Sequence, residues 1–273
     1  MLGHALRAIP TYKSTRGALL SYSVVILEEA GSTNTEAFAR ARAGEAGPLW
    51  VVARRQTQGR GRSGRRWASE VGNLYASLLV RLACPPSVLH QVSLLAGVAA
   101  IEAITAAAGG KAPRGLRLKW PNDVLIGDGK CAGILPESQS GGAGTEATVV
   151  IGVGINLASH PEGLGRPATH LAAHGVGVAP EAMLGLLAGA MQRRLEHWDG
   201  GAGFAGVRTA WLAHAGAVGE SLTVDTGRER IAGTFLDLDG SGALILRDSL
   251  GLQRRLTFGD VTLAEPPPPE DRA

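Results

Sequence analysis

Short apolar runs broken by glycine-rich turns alternate along this chain with longer segments of helical period. SVVIL at 23–27 predicts a strand, and the next segment predicts a helix through Arg42, opened by a capping box of Thr33 and Glu36 with Phe38 on its buried side. LWVVA at 49–53 and NLYASLLVRL at 73–82 predict strands on either side of an arginine-rich connection. Ser87 is placed to cap a long alanine- and leucine-rich helix ending at Gly109. LRLKW, DVLI, KCAGILPES and ATVVIGVGINL then predict strands separated by Pro-Asn, Gly-Asp-Gly and Gly-Gly turns. Pro180 opens a helix with apolar positions at Met183, Leu184, Leu187, Met191 and Leu195, and another helix runs from Phe204 to His214.

From Val218 the texture changes to five short runs, SLTVDT, RIAGTFLDLD, ALILRD, LQRRLTF and DVTL, the pattern of a small SH3-like β-barrel. The expected fold class is therefore α+β: a mixed β-sheet with flanking helices over residues 23–215, followed by an SH3-like barrel over 216–264. Residues 1–22 form an N-terminal extension too short for a helix-turn-helix, and the proline-rich tail 265–273 is expected to be disordered.

Composition narrows the function classes. Of 273 residues, 45% are hydrophobic and 19% charged, so a full core is within reach, and 39 glycines point to many tight turns. A net charge of only +3 argues against a general nucleic-acid binder. The basicity is local: six arginines and no acid lie between Arg54 and Arg66, so this segment should meet an anion. The two cysteines, Cys84 and Cys131, cannot make a disulfide framework, and no Cys/His spacing suggests zinc. Without a leader pattern or a long apolar run, the chain reads as cytoplasmic and not membrane-bound.

Three segments could carry chemistry. In QTQGRGRSGRRW, residues 56–67, Gly59, Gly61 and Gly64 spell a dinucleotide fingerprint. The context contradicts it, because a strand follows where a helix is needed and no acid occurs between Glu70 and Glu102. A loop of glycines with Arg60, Arg62 and Arg65 can still cradle phosphate through backbone N–H groups and guanidinium forks. A solvated turn explains the same residues. In KWPNDVLIGDGKCAGILPES, residues 119–138, the turns bring Lys119, Asn122, Asp123 and Lys130 to one end of the sheet; Asp123 alone could be a turn former and Trp120 a core aromatic. In VVIGVGINL, Gly152 and Gly154 mark a close approach of ligand or backbone, and Asn156 ends the strand as a ligand contact or a turn residue.

GRGRSGRRW, KWPNDVL, GKCAGILPES and VIGVGINL, in this order, resemble the biotin protein ligases, which attach biotin to carboxylase carrier domains. The resemblance covers roughly residues 24–263. It implies two half-reactions: biotin and Mg-ATP give biotinyl-5′-adenylate, and the lysine of a biotin carboxyl carrier domain then takes the biotinyl group. Carried over residue by residue, it places Ser32, Thr33, Asn34, Gln56, Arg60, Gly61, Arg62, Lys130 and Gly154 around biotin. It places Arg60, Arg62, Trp67, Lys119, Asn122 and Asn156 around the adenylate. Lys130, Arg62 and Arg65 become the charges that offset repulsion between carboxylate and phosphate, and Asp123 the acceptor or orienter for the attacking amine. The glycine loop is expected to order over bound ligand. No protein ligand for Mg2+ is assigned, no DNA partner is expected, and a homodimer is left open. The C-terminal domain offers no residue with a legible role. A lipoate or octanoyl ligase, and a nucleic-acid module built on the arginine loop, are the competing readings.

Overall fold

The computed structural model describes residues 22–140, 146–163 and 166–263. The tail and, apart from Tyr22, the N-terminal extension lie outside them.

Seven strands form the larger sheet. β1 (Ser23–Ala30) and β2 (Leu49–Gln56) pair in parallel around the helix α1 (Thr33–Arg42). β3 (Leu74–Ala83) then runs antiparallel to β2 and to β7 (Glu146–Ile155). β4 (Leu116–Lys119), β5 (Asp123–Ile126) and β6 (Gly129–Ser140) form a meander whose last strand pairs with β7. The order is β1-β2-β3-β7-β6-β5-β4.

Both faces of the centre are covered, which explains why LYASLLV reads as a continuous apolar run. On one face Trp50, Val52, Leu78, Ile151 and Val153 pack under α2 (Gln91–Ala107), which in turn packs against α3 (Pro180–Trp198) and α4 (Phe204–Leu212). On the other, Val51, Leu79 and Val150 meet Ala37 and Phe38 of α1. That helix covers only part of the face. Beyond Val150 the same side of β7 carries Gly152 and Gly154, and the surface opens into a cleft.

The last five strands, β8 (Ser221–Asp225), β9 (Arg230–Leu238), β10 (Leu244–Asp248), β11 (Gln253–Leu256) and β12 (Asp260–Leu263), form an antiparallel sheet ordered β11-β10-β9-β8-β12. The expected small all-β unit is present; its ladder leaves β11 and β12 as edges.

Two local expectations fail. Ser87 lies in a short 3-10 turn, and α2 starts at Gln91 because Pro85 and Pro86 hold the preceding backbone outside the helix. The capping box does not form: the N-cap of α1 is Ser32 with no side-chain cap, and Thr33 instead directs its hydroxyl to Gln56 Oε1 at 3.2 Å. A tertiary hydrogen bond has outcompeted the local one.

Candidate functional site

The cleft has a volume of about 570 Å³. Its floor is a patch without side chains. Gly133 on β6 pairs in register with Gly154, and Gly152 with Ser77 of β3 and Leu135 of β6. A Cβ on Gly152 would come within 2.4 Å of Asn34 Oδ1, and one on Gly154 within 2.7 Å of the Trp67 ring. One on Gly133 would meet the same ring at 2.9 Å. The glycines thus let one end of α1 and the indole of Trp67 lie directly on the sheet.

At the α1 end, Ser32, Thr33 and Asn34 are almost fully buried. Gln56 Oε1 accepts from the Thr33 backbone N–H at 2.9 Å, and Gln56 Nε2 donates to Ser69 Oγ at 3.1 Å. Ser77 Oγ lies 2.7 Å from Thr33 Oγ1 and 2.6 Å from Asn34 Oδ1; Asn34 Nδ2 donates to the Leu135 carbonyl at 3.1 Å and to Glu137 Oε2 at 2.6 Å. The result is a small, fixed set of donors and acceptors at the end of a pocket, suited to a polar head on an apolar body.

At the other end two lysines converge on a buried carboxylate. The β4–β5 hairpin pairs Lys119 with Asp123 in register, and Asn122 ties that turn to β6 by donating to the Ile134 carbonyl at 2.7 Å. Asp123, 7% exposed, pairs with Lys130 through one oxygen and with Lys119 Nζ through the other at 3.1 Å. Burial pushes its carboxyl upward, but the two ammoniums more than reverse this, so Asp123 lies below the usual carboxylate range and is ionised. Lys130 is pulled below the ordinary lysine value, chiefly by burial and against the opposing field of Asp123. Its Nζ also stands 5.4 Å from the centre of the Trp67 ring.

The arginine loop spans the two ends as a small hairpin. Arg60 bridges Arg66, Gly61 N–H donates to the Arg65 carbonyl at 2.7 Å, and Trp67 N–H donates to the Gly59 carbonyl at 2.8 Å. Gly59 is required for close approach, since a Cβ there would sit 2.5 Å from the Trp67 carbonyl; Gly64 supplies a φ of +71° at the tip. The loop's charges are engaged: Arg60 lies 3.6 Å from Glu137, Arg65 pairs with Asp260, and Arg62 Nη1 donates to the Gly259 carbonyl at 3.1 Å. Burial lowers the Arg62 value somewhat against Asp260, without discharging a guanidinium.

Of the residues singled out from sequence, Ser32, Thr33, Asn34, Gln56, Arg60, Gly61, Arg62 and Arg65 line this cleft. Trp67, Lys119, Asn122, Asp123, Lys130 and Gly154 line it too. Asn156 lies beside it, in a small neighbouring pocket, where its amide donates to the Thr169 carbonyl at 3.0 Å and to the Lys130 carbonyl at 3.4 Å. It fastens the backbone that carries Lys130. Sequence reasoning missed Ser77, Glu137 and Asp260. Glu137 stood inside a quoted motif, whereas nothing local marks Asp260, which meets Arg62 across 198 positions.

Among the described residues no group of three or more His, Cys, Asp or Glu side chains could hold a metal, and no helix is long and apolar enough to cross a membrane.

Comparison with known proteins gives a consistent answer. The biotin/lipoate A/B protein ligase family matches residues 28–156, and the biotin protein ligase C-terminal domain matches residues 218–263. A biotin--[acetyl-CoA-carboxylase] ligase of Paracoccus denitrificans is 42% identical over 84% of this chain and 95% of its own. A bifunctional ligase/repressor of Bacillus spizizenii is 33% identical over 75% of this chain and 63% of its own. A biotin protein ligase from Aquifex aeolicus, solved with biotin and ATP, superposes with a TM-score of 0.73 at 25% identity, covering 88% of this chain and 99% of that one.

Proposed function

The chain belongs to the biotin/lipoate A/B protein ligase family, and from that premise we propose how its own residues divide the work. The reaction is ATP-dependent biotinylation of a biotin carboxyl carrier domain of a carboxylase. In the first step a biotin carboxylate oxygen bonds to the α-phosphorus of ATP, the α–β bridging P–O bond breaks and pyrophosphate leaves. In the second, the amine of the carrier lysine bonds to the acyl carbon, the C–O bond to AMP breaks, and the amine's proton departs to a base or solvent.

The observation that carries the assignment of roles is the placement of Lys130. It lies at the junction of the polar α1 pocket and the arginine loop, anchored by Asp123 and facing Trp67. In our reading biotin lies along the glycine floor with its ureido ring toward Thr33, Asn34 and Gln56, and its carboxylate toward Lys130. Lys130 with Arg62 and Arg65 offsets the charge that accumulates as carboxylate and phosphate converge. Trp67 offers a flat face to the adenylate. Asn122 acts by holding the turn and Asn156 by fastening the Lys130 backbone.

Asp123 takes a different role from a strong base. A carboxylate held below the usual range between two ammoniums is a weak proton acceptor, so it orients Lys130 and Lys119 and receives the carrier's amine as a hydrogen-bond partner. Mg2+ arriving on the triphosphate would neutralise phosphate charge, as expected where an ion is held mainly by substrate oxygens.

A ligase without a DNA-binding role is part of the same proposal, since Arg60, Arg62 and Arg65 line the cleft and are paired with Glu137 and Asp260 rather than spread over an open surface. Retardation of DNA fragments by the biotin-loaded protein at physiological salt would overturn that part. The test of the assignment is pyrophosphate–ATP exchange followed by transfer to a purified carrier domain. Both should require biotin; exchange supported by lipoate and not by biotin would defeat it.

A further inference from the structure

Three consecutive residues at one strand edge take up three cations of the cleft. The Gly259 carbonyl accepts from Arg62 Nη1 at 3.1 Å, the Asp260 carboxylate pairs with Arg65 and lies 3.6 Å from Arg62, and the Val261 carbonyl accepts from Lys119 Nζ at 2.9 Å. β12 can do this because it is an edge strand: it pairs with β8 on one side, and its other side is left to the larger domain. Arg60 at the start of the same loop is drawn the other way, toward Glu137 of β6. The loop is thus held between two carboxylates from two different sheets.

The contacts are economical. Arg62 meets Gly259 and Asp260 through Nη1 and Arg65 meets Asp260 through Nη2, and a planar fork with five N–H groups has donors to offer a second anion. A glycine-rich loop carrying unpaired arginines would pay conformational entropy on meeting its ligand. The pairs with Glu137 and Asp260 restrict the loop and so reduce that cost.

We propose that Asp260 is a positioning residue for the phosphate-bearing substrate: acting through Arg62 and Arg65, it holds the arginine loop in its phosphate-receiving form. The inference rests on the biotin-activating reaction above. It accounts for the cleft being lined by Asp260, Val261, Thr262 and Leu263 of a domain with no evident chemistry of its own.

The test compares the full-length wild type with Asp260→Asn and Asp260→Glu in biotin-dependent pyrophosphate exchange, with thermal unfolding of each. Loss of two partly exposed ion pairs should raise the KM for ATP about fivefold in Asp260→Asn and leave kcat within about twofold. Release of biotinyl-adenylate should quicken by a similar factor, the unfolding midpoint should hold, and Asp260→Glu should recover most of the affinity. In an Arg65→Ala background the Asn change should have a smaller effect, because its route is partly gone. An unchanged KM and release rate in Asp260→Asn would overturn the proposal. So would a KM below wild type, which would make the carboxylate a competitor of phosphate, or equal losses in both variants with a lower unfolding midpoint, which would make it structural. A wild type without biotin-dependent exchange would instead refute the reaction itself.

Discussion

Asp123 holds Lys130 with one carboxylate oxygen and Lys119 with the other, at the buried meeting point of β4, β5 and β6. The pair is both structural and chemical: it stabilises an ammonium where hydration is lost, and it aims that ammonium at the cleft.

Replacing Lys130 with alanine should reduce adenylate formation by about two to three orders of magnitude, the usual cost of removing one preorganised charge from a developing transition state. Lys119 remains to compensate Asp123, so the fold should persist. Rapid-quench measurement of adenylate alongside far-ultraviolet circular dichroism checks both halves, and normal adenylate synthesis in a folded variant would remove Lys130 from the mechanism.

The same pair sets an acid dependence of stability. The Asp123 carboxyl lies below the usual carboxylate range in the folded protein, because Lys130 and Lys119 outweigh the burial that pushes it up. A group depressed on folding contributes stability that is present above its unfolded value of about 3.9 and lost as pH falls through the folded value. Asp123→Asn should therefore lower the urea midpoint at neutral pH, with the gap to wild type narrowing below about pH 4. Parallel midpoint curves down to pH 3 would contradict the linkage.

Two glycines of the floor should separate the two ends of the cleft. In Gly152→Ala the new methyl would press on Asn34 Oδ1 and disturb its bond from Ser77; in Gly154→Ala it would press on the Trp67 ring. Overpacking of this kind costs about 1–3 kcal/mol. Gly152→Ala should weaken biotin binding by about tenfold or more and leave nucleotide binding near wild type, whereas Gly154→Ala, under both biotin and the Trp67 ring, should weaken both ligands and alter tryptophan fluorescence. Titration calorimetry with each ligand distinguishes them, and equal loss of nucleotide binding in both variants would show that the cleft is not divided this way.

What sequence could reveal follows from how local each cause is. Gly152 and Gly154 stood out because a strand interior seldom lacks side chains, and the reason proved to be close approach by Asn34 and Trp67. The KWPND turn was legible because Lys119 and Asp123 are cross-strand partners of one hairpin. Thr33 misled because its capping geometry is satisfied on paper, while Gln56, far along the chain, offers its hydroxyl a better-placed acceptor. Asp260 was silent for the same reason in stronger form. Its partners approach only after two domains have packed, and no spacing encodes that.

Cys131 follows Lys130 directly, which invites a role as an acyl carrier. The side chain is fully buried, its Sγ lies 3.8 Å from the Asn156 carbonyl, and burial pushes the thiol up to about 12. A thiol is nucleophilic only as thiolate, and at neutral pH this one holds essentially none. Cys131→Ala should accordingly retain adenylate synthesis and biotin transfer, with a loss of stability of about 1 kcal/mol for the small cavity it leaves. Iodoacetamide at pH 8 should label Cys131 of the native enzyme only at the rate of local opening, read by mass spectrometry. Fast labelling of the folded protein, or loss of transfer in a folded Cys131→Ala variant with adenylate synthesis intact, would make the thiol a covalent way-station between the two half-reactions.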